Sequence, residues 1–160
     1  MKETVIYGEN RHQEATRTRI ACRGVILRDG NILLVYEANL DKYLIPGGGL
    51  EEGEDLEQCC IREMAEETGT VVQPRQHYLT IHEYYGQWHL ISHYFLCDIL
   101  GKTEQHLTDY EATAGMVPKW LPLEKAKELF SGYSGWEGAD EMKRGAYLRE
   151  FTALNALPEM

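Results

Sequence analysis

The chain has 160 residues, 43% hydrophobic and 26% charged, which suits one compact domain with a buried core. Its formal net charge of −10 argues against a sequence-independent grip on a nucleic-acid polymer, and no apolar run approaches membrane-spanning length. Met1-Lys2-Glu3-Thr4 lacks the apolar stretch of a secretory signal, so a cytoplasmic location is expected. Cysteines stand at 22, 59, 60 and 97. Adjacent Cys59 and Cys60 cannot readily bridge within a helix and no C-x-x-C pair exists for zinc, so reduced thiols are expected.

In chain order, residues 1–16 are polar and read as an N-terminal arm or edge segment. A strand is predicted from Arg19 to Leu27, a hairpin turn at Arg28-Asp29-Gly30-Asn31, and a second strand from Ile32 to Tyr36. Tyr43-Leu44-Ile45 is a short strand running into Pro46-Gly47-Gly48-Gly49, a stretch expected to break regular structure. Helical spacing covers Asp55 to Thr68, with Gly69 as its stop. Two strand-like runs follow, His77 to Tyr85 and His89 to Ile99, split at Gly86-Gln87. Residues 101–117 read as a long loop with some strand character. Trp120-Leu121 then leads through Pro122 into a short helix, Leu123 to Phe130, and a last helix runs from Ala139 to Leu157. With no repeat, linker or low-complexity tract, residues 1–160 are expected to form a single α/β layered domain with a mixed sheet.

The segment from Gly48 to Thr70 holds eight acids (Glu51, Glu52, Glu54, Asp55, Glu57, Glu63, Glu66 and Glu67) against one base, Arg62. On a helical wheel Glu63, Glu66 and Glu67 share one side, and Ile61, Met64, Ala65 and Thr68 fall opposite, on the side expected to face the core. Glu63 and Glu67 stand at i,i+4 with no lysine nearby, a like-charge pair that a divalent cation would offset. Hard cations such as Mg²⁺ are held by a few carboxylates together with substrate phosphates, and bound metal activates water against a phosphoanhydride. The preceding glycines add exposed carbonyls and close approach. Spacing by itself leaves a plain solvated face equally open.

The spelling of the segment, Gly48, Glu54, Arg62-Glu63-Met64-Ala65-Glu66-Glu67-Thr68-Gly69-Thr70, resembles the Nudix box G-x5-E-x7-R-E-U-x-E-E-x-G-U, U being aliphatic. All seven fixed positions match; Thr70 departs from the usual aliphatic residue, which touches packing rather than chemistry. Trp120-Leu121-Pro122-Leu123-Glu124 is also similar to a segment that follows the central sheet in this family. The resemblance implies a Nudix-like α/β/α sandwich and a pyrophosphohydrolase that cuts a nucleoside diphosphate linked to another group. It implies Mg²⁺ or Mn²⁺ on Glu63, Glu66 and Glu67 with a carbonyl of Gly47 or Gly48, and Arg62 as organiser of the box glutamates. It further implies a ligand or base from a later loop, where Glu104, Asp109 and Glu111 all stand, and a homodimer is common in such families.

Substrate choice in this family is set outside the box. Tyr84-Tyr85-Gly86-Gln87-Trp88 lacks the proline that ADP-ribose-cleaving members often carry; a tyrosine there resembles diadenosine polyphosphate hydrolases, and a nucleoside triphosphate is the preferred expectation. Tyr84, Tyr85 and Trp88 offer base stacking, and Arg17, Arg19 and Arg23, alternating on one strand face, offer phosphate or sugar contacts. Core packing and ordinary salt bridges are the competing readings for both sets, and Trp120 shares the ambiguity of the aromatics. His89, His93 and Cys97 share a strand face, but residues four apart on a strand lie roughly 13 Å apart, too far to ligate one ion. The alternative of another class is a non-catalytic Nudix-like module that binds nucleotides as a sensor or regulator; such domains usually lose box glutamates that are retained here.

Overall fold

In chain order the elements are β1 (Lys2–Tyr7), β2 (Arg17–Val25), β3 (Leu27–Arg28), β4 (Asn31–Glu37), β5 (Lys42–Leu44), β6 (Gly47–Gly49), α1 (Leu56–Thr68), β7 (Thr70–Tyr85), β8 (Trp88–Lys102), α2 (Asp109–Ala114), β9 (Met116–Pro122), α3 (Leu123–Ser131) and α4 (Glu141–Asn155). The computed structural model describes residues 1–8, 15–136 and 141–159.

A five-stranded sheet has the order β1-β7-β8-β2-β6. It is mixed, because β1 runs parallel to β7 and β2 parallel to β8, whereas β7–β8 and β2–β6 are antiparallel. In the second sheet β4 pairs antiparallel with β3, β5 and β9. Asp29 and Gly30 both adopt positive φ, 53° and 79°, which gives the β3–β4 turn a twist matching its strands. One core gathers Val25, Ile32, Leu34, Ile45, Leu79, Ile81 and Tyr94 under Phe130 of α3 and Tyr147 and Leu154 of α4. A second packs Cys59, Cys60 and Met64 of α1 on Cys22, Ile26, Phe95 and Cys97. The fold is therefore mixed α/β with helices over separate cores.

Several expectations change. Lys2–Tyr7 is an edge strand; residues 9–14 of the expected arm, and the expected helix start at Ala139, lie outside the described residues. Gly47–Gly49 does not break structure but pairs as β6 with Cys22 and its neighbours on β2. It can do so because a side chain is absent: a Cβ on Gly47 would lie 2.2 Å from the Cys22 carbonyl oxygen. The expected loop 101–117 contains α2, whose six residues are too few to show helical periodicity.

The α1 wheel also turns. Its deeply buried residues are Cys59, Cys60, Met64, Glu67 and Thr68, while Ile61 and Ala65 are half-buried. The buried arc thus includes Glu67, because β6 crosses that side and covers it.

Candidate active site

Caps at both ends fix the register of α1. The Asp55 carboxylate accepts the Gln58 backbone N–H at 2.8 Å and the Gln58 side chain accepts the Asp55 N–H at 2.9 Å, a reciprocal capping box. Gly69 closes the other end at φ 66°, its N–H returning to Ala65.

Arg62 draws the acidic residues together. Its Nε and Nη2 form a fork on Glu54 at 2.6 and 2.9 Å, and Nη1 donates to Glu63 at 2.8 Å and Glu66 at 3.2 Å. Nη2 also reaches the Gly49 carbonyl at 2.9 Å, so one guanidinium joins helix, preceding loop and β6. The Arg62 hydrogen bonds hold the Glu54 carboxyl down at about 2. Burial pushes the Glu63 carboxyl upward, against the pull of Arg62.

Glu67 is only 4% exposed and accepts the Gly47 N–H at 3.0 Å. Burial, and next its contact with Glu111, raise it well above the usual carboxylate range. Burial also disfavours the charged form of Glu111, but hydrogen bonds from Glu67 and Thr108 outweigh that and lower it. The contact thus moves the two carboxyls in opposite directions, Glu67 up and Glu111 down. Glu111 reaches this point because α2 begins with its own capping box, Thr108 accepting the Glu111 N–H and Glu111 accepting the Thr108 N–H.

The donor set fits a hard divalent cation: the carboxylates of Glu63, Glu66, Glu67 and Glu111 and the carbonyls of Gly47 and Gly48, all oxygen. The absence of a side chain at Gly48 admits the Glu63 carboxylate, since a Cβ there would lie 2.4 Å from its Oε2. Among the described residues no three acidic, imidazole or thiol groups already converge on one point; Nη1 of Arg62 bonds both Glu63 and Glu66.

These acids line a cleft of about 380 Å³, and Arg19, Arg23 and Lys42 line it too. A neighbouring hollow of about 190 Å³ shares those three cations and adds Ala21, Leu90, Ser92, Ala146 and Arg149. Arg23 donates through Nη1 to the Ile45 carbonyl at 3.1 Å, and its buried Nε has no protein acceptor. From α4, Glu150 accepts the Ile45 N–H at 2.6 Å while also holding Tyr94 Oη and Arg149 Nε. The residue that leads into Pro46-Gly47 is thereby pinned on both its backbone groups.

Of the expected site residues, Arg19, Gly47, Gly48, Arg62, Glu63, Glu66, Glu67 and Glu111 line this cleft. Glu104 and Asp109 are exposed and do not. Tyr84, Tyr85 and Trp88 do not line it either, because the β7–β8 hairpin carries them elsewhere. Tyr84 stacks between Tyr7 and His89, buried Tyr85 donates to Glu83 at 2.8 Å, and exposed Trp88 lies under the Arg17 guanidinium. Trp120 lies against the Arg28 guanidinium, 4.9 Å from ring centroid to Cζ. Lys42, Glu37, Thr108 and Tyr110 enter the cleft without a sequence reading that pointed to them. Only the closeness of Lys42 to the Gly47 loop could have suggested it. Glu37 is 2% exposed, and its Oε2 is buried without a partner.

Comparison with known proteins agrees with the box. The RNA pyrophosphohydrolase of Wolbachia pipientis subsp. Culex pipiens is 44% identical over 52 residues, 31% of this chain and 32% of that protein. The ADP-ribose pyrophosphatase of Methanocaldococcus jannaschii is 32% identical over 88 residues, 51% of this chain and 52% of that protein. The chain thus spans about a third to a half of the length of the curated relatives it matches. A NUDIX hydrolase structure from Nitrosomonas europaea superposes with a TM-score of 0.62 at 20% identity, covering 90% of this chain and 98% of that one, a likeness of fold. The NUDIX domain model matches residues 18–137, three quarters of the sequence and all of the cleft's elements from β2 to β9, and the chain belongs to that family.

Proposed function

We propose that the chain hydrolyses a phosphoanhydride bond in a nucleoside diphosphate linked to another group, with a nucleoside triphosphate, standard or modified, as the preferred substrate. The observation that carries the reading is the shared lining of one cleft, where box carboxylates and Glu111 stand together with Arg19, Arg23 and Lys42. A polyphosphate needs both: cations of the protein to attract its oxygens, and carboxylates to hold the metal that neutralises the rest. Relatives named for RNA and ADP-ribose pyrophosphate cleavage support the bond type. Three cations besides Arg62 in one cleft favour a substrate with several phosphates, and residues 84–88 lack the proline that ADP-ribose-cleaving members often carry.

Glu63, Glu66, Glu67 and Glu111, with carbonyls of Gly47 and Gly48, would hold Mg²⁺ or Mn²⁺. When bound, such an ion screens phosphate charge and lowers the pKa of a coordinated water. The chain itself does the rest. Arg19, Arg23 and Lys42 attract and orient the phosphate tail, and Arg62 keeps Glu63 and Glu66 from swinging into solvent. Glu111 stands beside Glu67 in the same cleft and is proposed as the group that takes up the proton released from attacking water.

The test is release of phosphate and pyrophosphate from a nucleotide panel with Mg²⁺. Wild type should turn over a triphosphate, and Glu66→Gln, a substitution on a partly exposed residue, should lose at least a hundredfold. Equal rates for the two proteins across the panel would overturn the reading.

A further inference from the structure

We propose that His77, Thr80 and His93 form a separate binding site for a borderline transition-metal ion such as Zn²⁺, on the sheet face that α1 also covers. None of the three lines the acidic cleft. The inference is independent of the hydrolase reading.

Strand pairing assembles the group. In the β7–β8 register His77 faces Phe95, Leu79 faces Tyr94 and Thr80 faces His93, so Tyr78 is an extra residue at a bulge. In a regular strand, residues three apart point to opposite faces. The bulge instead puts His77 and Thr80 on one face, beside His93. His77 is held there by stacking on Phe95 with ring centroids 4.6 Å apart, and His93 meets it edge-on at 5.0 Å.

The three polar atoms form a nearly equilateral triangle. His77 Nε2 lies 3.1 Å from Thr80 Oγ1, Thr80 Oγ1 lies 3.0 Å from His93 Nδ1, and the two ring nitrogens lie 3.2 Å apart. Hydrogen bonding does not complete this figure. A ring nitrogen is either donor or acceptor, and a hydroxyl has one hydrogen. If both nitrogens carry hydrogens, the 3.2 Å contact sets donor against donor. If one or neither does, two contacts must share a hydrogen or one has none. The hydroxyl can also turn its hydrogen to Met1 Sδ, 3.6 Å away, leaving its lone pairs toward the rings. The other histidine pair on this face is different: His82 Nδ1 and His89 Nε2 make one 2.8 Å contact, which a single N–H satisfies.

A cation resolves the triangle. With metal–nitrogen distances of about 2.1 Å, nitrogens this far apart subtend roughly 100°, between octahedral and tetrahedral values, and water fills the open positions. The surroundings disfavour the protonated form that could not ligate: burial lowers His77, and burial followed by the neighbouring histidines lowers His93 to about 4, against a pull from Glu3. Imidazole favours zinc, nickel and copper over magnesium, so the histidine site and the carboxylate cleft sort ions by hardness.

The experiment is a Zn²⁺ titration of the reduced full chain in saturating Mg²⁺, read against a competing chromogenic chelator. Wild type should bind one Zn²⁺ that His77→Ala and His93→Ala each weaken at least tenfold, that Thr80→Val weakens less, and that Glu63→Gln leaves in place. In wild type, Zn²⁺ should move the ring-nitrogen NMR signals of His77 and His93 and not those of His82 and His89, a readout free of any folding defect in the variants. No Zn²⁺ uptake in saturating Mg²⁺, uptake indifferent to both histidine substitutions, or shifts confined to His82 and His89 would each overturn the proposal.

Discussion

Arg62 shows how one side chain can set the geometry of several. Its guanidinium is planar with fixed donor directions, and those directions are spent on Glu54, Glu63, Glu66 and the Gly49 carbonyl. Lysine keeps the charge but has no fork. Arg62→Lys is therefore expected to lower activity or metal affinity about 10–100-fold, the usual cost of losing a residue that orients metal ligands. Steady-state kinetics with Mg²⁺ titration would show it, and unchanged kinetics would deny Arg62 that role. Glu54 makes the matching prediction in acid. Its folded-state pKa of about 2 lies below the ordinary 4.5, so its contribution to stability is present above 4.5 and lost as pH falls through that window. Between pH 5 and 2, wild type should lose more urea stability than Glu54→Gln, and parallel pH curves would count against the Arg62 fork.

At the scale of elements, β6 and α1 act as one unit, and two adjacent glycines separate fold from chemistry. A Cβ on Gly47 meets backbone, the Cys22 carbonyl at 2.2 Å, which cannot move without breaking the β2 pairing. One on Gly48 first meets the carboxylate of Glu63, a side-chain end, at 2.4 Å. Gly47→Ala should therefore lower the melting temperature markedly, whereas Gly48→Ala should melt near wild type yet bind Mg²⁺ more weakly. Identical behaviour of the two in melting and metal titration would contradict this division. Both readings of this unit were half visible in the residues. Capping by Asp55 and Gly69 and the grouping of three glutamates follow from local spacing, so α1 was legible almost to the residue. The burial of Glu67 was not, because a wheel knows the polarity of a face but not that a glycine strand will lie across it. Residues 47–49 escape the strand pattern for the same reason: Gly47 has no room for a side chain against β2 and Gly48 none beside Glu63, so glycines that interrupt most strands belong in this one.

For the molecule as a whole, the acidic wall should make stability depend on cations. A ligand that binds only the folded chain stabilises it by about 2.7 kcal/mol at a hundred times its dissociation constant. Saturating Mg²⁺ should raise the melting temperature of wild type, and a nucleotide with Mg²⁺ should raise it further. Glu66→Gln should respond less to both, and chelation with EDTA should return wild type to its starting value. A melting curve indifferent to Mg²⁺ and EDTA would refute metal binding by the cleft.

The family, its box and the roles expected of Arg62 and the box glutamates follow from the sequence by itself, because those residues lie in one short segment where spacing along the chain is spacing in space. Everything contributed by distant segments had to await the tertiary structure. Glu104, Asp109 and Glu111 look alike as loop acids until the Thr108 cap turns Glu111 toward Glu67. Lys42 enters the cleft through its pairing opposite Glu37, and Tyr84, Tyr85 and Trp88 leave it with the tip of the β7–β8 hairpin. His93 meets a partner not on its own strand but sixteen residues earlier, His77, and one bulge decides that they meet. Register across strands is fixed by packing of whole faces, and no local pattern of residue types encodes it.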